Sequence, residues 1–212
     1  MLAHKLRRAA GRPVITYRTY VEDTANLTTY SFAGIDVGTA PCLVLVAFHM
    51  GGATSRTLSS GTIDGSAATV HGSGSGDFSG VAFMSRSFTP GAAVTIAGTW
   101  SGACSRSAIG VWTITNLASA TPSDSDFSAG GAAASRTRTV DVPAGGIAIF
   151  AGTRETASAI TTSVGTGSIS ERYDAASETQ NQFAGGDSSD NGGASPVCTM
   201  NAVSAMCGIA FR

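Results

Sequence analysis

The sequence feature that most constrains the fold is an uncharged apolar run at residues 42–50, Cys-Leu-Val-Leu-Val-Ala-Phe-His-Met. A run of this kind can be a buried strand or a short buried helix, and periodicity alone does not separate the two. Its length, its content of Leu, Val and Phe, and the Gly and Pro residues on both sides favour the strand. We therefore expect a central buried strand of a β fold.

The composition agrees with this interpretation. A chain of 212 residues can form one large all-β domain or two small ones. Only 13% of the residues are charged and 27 are Gly, which disfavours long helices and suits short strands joined by turns. The sequence predicts an all-β fold, a two-layer antiparallel β-sandwich that is jelly-roll-like, with an extended N-terminal arm.

Alternating and apolar patterns place about a dozen strands along the chain. Asp64-Gly65 between two β-compatible pieces is a hairpin signal within residues 61–70. Residues 2–10 are compatible with two helical turns that end before Gly11 and Pro13. The further predicted strands are residues 14–21, 28–32, 35–37, 43–50, 81–88, 93–100, 108–117, 137–142, 147–153, 160–164, 168–173, 197–201 and 205–211. Small or polar residues predict exposed loops at 72–76, 118–135 and 185–193.

The two halves of the chain contain similar segments. Residues 35–48 and 140–151 both run from a short Asp-containing strand through a turn into an apolar strand. Residues 108–112 and 207–211 likewise resemble each other near the end of each half. Chance similarity between short strands is one explanation. The other is a pseudo-repeat, in which each half contributes matching strands to one sandwich, as in a jelly roll.

Charge is distributed unevenly. Residues 1–20 hold five basic groups and no acid, which leaves eight basic and fourteen acidic residues in the remainder, a net charge of −6. We divide the chain into a basic N-terminal anchoring arm with a first strand, residues 1–27, and a single β-sandwich domain, residues 28–212. The arm either frays or binds an acidic protein partner, and five charges without interleaved aromatics argue against nucleic acid. The candidate partner-binding residues are Lys5, Arg7, Arg8, Arg12 and Arg18.

The four cysteines, Cys42, Cys104, Cys198 and Cys207, lack the spacing of a metal site. We expect four free thiols in a protein made in a cytoplasm. No hydrophobic segment follows the basic start as in a signal peptide, and no run approaches the roughly 20 apolar residues of a membrane helix. Membrane partners, metals and cofactors are therefore not expected.

Catalytic patterns are missing from the sequence. The glycines at 72–76 lack the Gly-Lys-Ser/Thr of a phosphate loop, and no Gly-x-Ser-x-Gly nucleophile elbow occurs. His4 lies in the arm, His71 lies beside a Gly-rich loop, and His49 is more simply a hydrogen-bonded strand histidine than a ligand. We expect no enzymatic activity.

Acidic pairs and aromatic residues give weaker signals. Asp124 with Asp126, and Asp187 with Asp190, fall in predicted loops without the aromatic groove of a glycosidase. The segment 187–192 could also wrap a calcium ion, although a solvated turn is the simpler interpretation. The two tryptophans, Trp100 and Trp112, lie on strand patterns, and we expect them in the core rather than on a sugar-binding surface.

Five segments resemble a known group of proteins: residues 32–40 (Phe-Ala-Gly-Ile-Asp-Val-Gly-Thr-Ala), 43–47, 62–69, 108–117 and 119–122. Together they resemble small β-sandwich virion or tail-associated structural proteins of tailed bacteriophages and related gene-transfer particles. The resemblance covers roughly residues 28–212 and rests on strand-and-turn patterns. It implies a structural role without chemistry, and the basic arm lies outside it.

The resulting expectation is a non-enzymatic bacteriophage virion structural protein, made in the bacterial host cytoplasm and located in the virion. Its most economical role is a head-surface decoration or spike component attached through its N-terminal arm. A tail or fibre-associated protein is the alternative, as is a carbohydrate-binding module that recognises host surface glycans. The expected partners are other virion proteins of the capsid or tail and copies of the chain itself, with a host glycan as a further possibility.

Overall fold

The computed structural model describes residues 11–52, 54–76, 78–91, 93–128, 130, 135–166, 168–177, 181–188, 196–201 and 203–212. Across these segments the chain forms strands and no helix. The strands are β1 (Val14–Asp23), β2 (Leu27–Asp36), β3 (Cys42–Gly51), β4 (Leu58–Ile63), β5 (Ser66–Ala67), β6 (Thr69–Ser75), β7 (Ser79–Phe88), β8 (Ala93–Cys104), β9 (Arg106–Thr115), β10 (Asp124–Ser128), β11 (Ser135–Thr139), β12 (Ile147–Arg154), β13 (Thr162–Thr166), β14 (Ser170–Ser177), β15 (Asn181–Ser188), β16 (Val197–Asn201) and β17 (Ala205–Phe211).

The strands pair into four antiparallel sheets. The first inner sheet has the order β1-β9-β3-β7-β6, and the first outer sheet has the order β2-β8-β4-β5. The second inner sheet has the order β10-β17-β12-β15-β14, and the second outer sheet has the order β11-β16-β13. Each inner and outer pair is built from one half of the chain, so each half is a sandwich.

The two halves share one topology. The inner sheets correspond strand by strand: β1, β9, β3, β7 and β6 occupy the positions of β10, β17, β12, β15 and β14. The outer strands β2-β8-β4 correspond in the same way to β11-β16-β13. Even one exposed side-chain pair is repeated, because the Thr29 and Thr99 hydroxyls bond at 2.9 Å and those of Thr137 and Thr199 at 2.7 Å. The pseudo-repeat suggested by the sequence is thus present, with each half wound as a jelly roll.

Three apolar cores hold the four sheets in one stack. One core lies between the first inner and outer sheets, and another lies between the second inner and outer sheets. The largest side chains of the third core, including Phe83, Trp112, Phe183 and Phe211, fill the space between the two inner sheets. We call this contact the inner interface. It explains why β3 and β9 show no alternation of exposure, since both of their faces are covered.

Equivalent ends of the two sandwiches lie at the same end of the stack. At one end, the amides of Ala118 and Ser119 donate to the Arg212 carbonyl oxygen, which joins the linker between the halves to the last strand. At the other end, Arg106 of the first half donates to the Ser177 carbonyl oxygen of the second. We call these the arm end and the distal end. The halves are therefore related by an approximate two-fold rotation about an axis parallel to the strands.

The predicted all-β antiparallel sandwich is confirmed, and residues 43–48 and 147–151 are central buried strands as expected. The predicted Asp64-Gly65 hairpin is also present, with positive φ angles of 54° and 70° that match a two-residue hairpin turn. The number of layers differs from the prediction, with four sheets instead of two. The reason is that each half forms its own two-sheet sandwich. The face of its inner sheet that points away from its outer sheet is then buried against the other half.

Three predicted loops were wrong, at least in part. Residues 72–75 belong to β6, and residues 124–128 of the predicted loop at 118–135 form β10. Residues 185–188 are the buried end of β15, while 189–193 lie outside the described residues. At β15 the glycines were interpreted as a sign of a loop. Gly185 is instead required within the strand, because the Tyr173 ring lies where a Cβ would stand.

The boundary of the predicted arm also moves. The first strand is confirmed as β1, but it pairs along its length with β9 at the edge of the first inner sheet. Residues 14–23 are therefore part of the body, since their backbone groups complete the ladder of β9. What remains of the arm is residues 1–13, and the predicted helical turns at 2–10 lie outside the described residues.

Leu45→Ala is expected to lower the free energy of unfolding by about 2–5 kcal/mol. Leu45 is fully buried at the inner interface, and truncation leaves a cavity between two sheets whose backbones cannot collapse onto it. Chemical denaturation of the variant and the parent protein measures the difference. Thr95→Ala, an exposed change on the outward face of β8, is the control and should cost less than about 0.5 kcal/mol. Similar costs for the two variants would contradict the buried position of Leu45.

Candidate attachment surface

The arm end brings together the segments that connect the sandwiches. Residues 11–13 lead into β1 there, the linker at 116–123 leaves β9 for β10, and Arg212 follows β17. Asn116 opens the linker with a positive φ of 59°, a conformation that asparagine adopts more readily than most residues. The linker is then held by its two hydrogen bonds to Arg212. The arm thus leaves the body beside the two segments that tie the halves together.

A cleft of about 530 Å³ lies where the arm meets the body. Gly11 lies against the side chain of Asn116, and the aliphatic part of Arg12 approaches Gly145 of the second half. The cleft therefore spans the two halves, with these arm residues forming one wall. Its lining is Gly11, Arg12, Pro13, Asn116, Ala118, Ala144, Gly145 and Arg212.

Two further clefts flank the linker on the side of the first half. One of about 430 Å³ lies between the linker, the start of β3 and the end of β7. The other, of about 330 Å³, continues from it toward β6. The two share Leu43, Ser87 and Ala120, so we treat them as one depression and call it the linker groove, lined chiefly by residues 41–43, 85–89 and 114–122.

The predicted partner-binding residues fall into three groups. Lys5, Arg7 and Arg8 lie outside the described residues. Arg12 lines the cleft at the arm end. Arg18 is instead engaged within the body, because its Nε donates to Thr113 Oγ1 at 2.8 Å and its guanidinium lies against Gly38. Arg18 thus helps to pack β1 within the body, and its role in binding a partner stays a prediction.

His49 occupies the inner interface and links the halves. Thr153 Oγ donates to the Gly80 carbonyl oxygen, so it accepts from His49 Nδ1 at 3.0 Å, and Tyr173 donates to His49 Nε2 at 2.7 Å. The neutral imidazole with its proton on Nδ1 satisfies all these groups. Burial lowers the pKa of His49 to about 3, so the ring stays neutral near pH 7. The expected role as a hydrogen-bonded strand histidine is confirmed.

The carboxylate that the sequence suggested for calcium lies in this interface too. Asp187 accepts from Trp112 Nε1 at 2.8 Å and binds Arg172 through both oxygens, at 2.6 and 2.8 Å. Its oxygens are committed to these donors, so the proposed calcium turn does not fit the described part of the loop. Asp190 lies outside the described residues.

The other acidic candidates have local structural roles. Asp124 Oδ2 accepts the Asp141 amide at 2.7 Å, and Asp126 lies 3.8 Å from Arg138. Both tryptophans are buried as expected, at 1% exposure or less. Across the described side chains, no three His, Cys, Asp or Glu residues are grouped so as to hold a metal ion. None of the described segments forms a helix with the length and hydrophobicity that a membrane span requires.

All four cysteines are buried free thiols, as predicted. The Cys207 thiol donates to the Val81 carbonyl oxygen at 3.2 Å, which adds another link across the inner interface. Burial raises the pKa of Cys198 to about 12, so its thiolate is scarce near neutral pH. These thiols serve packing rather than chemistry.

Sequence reasoning missed the linker groove and one polar pair within it. His71 Nε2 lies 2.7 Å from Ser85 Oγ, on adjacent strands β6 and β7. The predicted loop at 72–76 concealed this pairing, because it placed His71 at a loop edge rather than in a sheet. Ser85 is buried, and the pair joins the side chains of β6 and β7.

Comparison with protein-family models and with curated proteins found no match for this chain.

Proposed function

We propose that this protein is a non-enzymatic structural protein of a bacteriophage virion, attached through its N-terminal arm as a head-surface decoration or spike component. The observation that carries the proposal is the convergence of the basic arm, the linker and residue 212 at one end of a four-layer body. Because the arm joins the body beside the segments that connect the halves, a force on the arm is transmitted to both sandwiches. The distal end is then free to face away from the particle.

The charge distribution supports the same orientation. Lys5, Arg7 and Arg8 precede the first described residue, Gly11, in the sequence, and Gly11 lines the cleft at the arm end. The acceptor on the particle is accordingly an acidic protein surface. The body offers stiffness rather than chemistry, since its polar interior groups such as His49 and Asp187 are used to join the halves.

Removal of residues 1–10 is expected to abolish incorporation into particles and to leave folding intact. The deletion stops before β1, so the ladder between β1 and β9 is kept. Particles produced with the truncated gene are purified and probed for the protein, while thermal melting of the isolated protein checks its fold. Full incorporation of the truncated protein, with a normal melting curve, would exclude the arm as the anchor.

A charge variant separates electrostatic attachment from loss of chain length. The triple change Lys5→Gln, Arg7→Gln and Arg8→Gln should weaken incorporation and make the residual binding insensitive to salt, because exposed charge pairs are screened within about 8–10 Å. The control is Arg56→Gln with Arg154→Gln, which removes positive charge from the distal end and should incorporate normally. Equal loss in the two variants would indicate a general charge effect rather than an anchoring arm.

A further inference from the structure

The distal end of the inner interface contains a small group of buried polar side chains. Ser79 on β7 and Arg106 on β9 lie directly opposite Gly51 of β3, so the three residues form one row of the first inner sheet. On the second inner sheet, Ser177 of β14 lies opposite Asn181 of β15. None of the four side chains is more than 4% exposed. We call Ser79, Arg106, Ser177 and Asn181 the distal cluster.

The distal cluster lies between the two halves. Directly opposite residues of an antiparallel sheet have their side chains on the same face. The face that carries Gly51 points toward the second half, because a Cβ on Gly51 would collide with the carboxamide of Asn181. Arg106 points the same way, since its Nη1 donates to the Ser177 carbonyl oxygen at 2.9 Å. The next row of this face holds His49, so the cluster extends the polar contact between the halves toward the distal end.

Three oxygen atoms of the cluster have no hydrogen-bond partner among the described residues: Ser79 Oγ, Ser177 Oγ and Asn181 Oδ1. The orientation of the Asn181 carboxamide is fixed, because its Nδ2 donates to the Arg154 carbonyl oxygen at 3.1 Å. Its Oδ1 therefore points at Gly51. Buried oxygens of this kind are normally satisfied by protein donors or by ordered water.

The spacing of these oxygens suits a bridging molecule. Asn181 Oδ1 lies close to where a Cβ of Gly51 would stand, and the Cβ atoms of directly opposite residues are about 4.5–5.5 Å apart. Ser79 thus lies across a gap that one water molecule can bridge. We infer that the distal cluster binds ordered water, with at least one molecule that bridges Asn181 Oδ1 of the second half to Ser79 Oγ of the first.

The charges around the site favour neutral water over an ion. Asn181 Oδ1 only accepts hydrogen bonds and so repels an anion, whereas the guanidinium of Arg106, in the same row as Ser79, repels a cation. A water molecule donates to Oδ1, and the serine hydroxyls can either donate to it or accept from it. The three oxygens supply enough partners for a buried water, which makes about two to four hydrogen bonds.

A high-resolution crystal structure of the full-length protein tests the position of the water. We expect a water peak about 2.7–3.2 Å from both Asn181 Oδ1 and Ser79 Oγ. A direct bond between these two side chains, a hydrogen bond to either oxygen from residues 178–180, or an ion in place of the water would overturn the assignment. Well-ordered side chains with no density between them would overturn it as well.

Oxygen-17 relaxation dispersion of the full-length protein gives an independent measurement in solution, because it counts water molecules that stay bound while the protein tumbles. Ser79→Ala combined with Ser177→Ala removes two of the three oxygens and keeps the bond from Asn181 to Arg154. The dispersion amplitude of this variant should be lower than that of the parent by at least the contribution of one water molecule.

The matched control is Ser85→Ala combined with Ser128→Ala. These two serines are also buried, but their hydroxyls bond directly to His71 and Arg136. The control should keep the amplitude of the parent, and thermal melting checks that both variants are folded. An undiminished amplitude for Ser79→Ala with Ser177→Ala, or an equal loss in the two variants, would overturn the inference.

Discussion

Trp112→Ala is expected to lower the free energy of unfolding by about 3–5 kcal/mol. The indole is fully buried between the inner sheets, with ring centroids 5.7 Å from Tyr17 and 5.9 Å from Tyr173. Its truncation removes a large apolar contact and also deprives the buried Asp187 of one of its donors. Urea denaturation monitored by far-ultraviolet circular dichroism measures the loss.

Two phenylalanine variants isolate the contribution of the indole N–H. Trp112→Phe keeps most of the apolar contact but leaves a carboxylate with one hydrogen bond fewer, which costs about 1–3 kcal/mol. Trp100→Phe loses only a neutral hydrogen bond to Ser107 Oγ at 3.2 Å, worth about 0.5–1.5 kcal/mol. Trp112→Phe should therefore be the less stable of the two. If Trp100→Phe is the less stable, the bond from Trp112 to Asp187 does not join the halves as described.

Acidification is expected to destabilise the protein through His49. The unfolded chain takes up a proton on this residue near its ordinary pKa of 6.5, whereas the folded protein, whose His49 pKa is lowered to about 3 by burial, does not. Between these values the unfolded state binds more protons, so stability falls as the pH falls. The slope is about 1.4 kcal/mol per pH unit, which accumulates to about 4–5 kcal/mol between pH 6.5 and pH 3.

The prediction is tested by comparing the pH dependence of the parent and of His49→Gln. Carboxylates titrate in the same range, but they do so in both proteins, so the difference between the two profiles reports His49. Burial also lowers the pKa of His71, which adds to the slope of both proteins in the same direction. The variant should lose less stability than the parent on acidification from pH 7 to pH 4. Parallel profiles would show that His49 is not held neutral at the inner interface.

Strand existence was predictable where side chains alternate or form apolar runs. The segments at 43–50 and 147–153 contain enough residues of high β propensity to be identified as strands without their partners. Asp64-Gly65 favours the positive φ angles that the hairpin turn requires. The sequence repeat also pointed to equivalent halves. What it could not reveal was that each half forms a separate sandwich, because burial of both faces of β3 and β9 depends on an outer sheet on one side and on the other half of the chain on the other side.

Strands whose composition is determined by contacts with distant side chains were not predicted. β15 contains two adjacent glycines and an aspartate, a loop-like pattern, yet Gly185 makes room for Tyr173 and Asp187 binds Trp112 and Arg172. The attachment surface was predictable only in its charge. The arm could be recognised from the five basic residues at 1–20, although one of them, Arg18, belongs to β1. The groove beside it arises where the linker crosses the ends of β3 and β7.

The most direct test of the proposed function is a cryo-electron-microscopy map of the particle with this chain located in it. The account predicts four stacked sheets with the arm end, marked by the linker at 116–123, against the shell and the distal end outward. Density for residues 1–10 should run from that end into an acidic surface of a particle protein. A body attached through its distal end, or particles that contain no copies of the chain, would contradict the account.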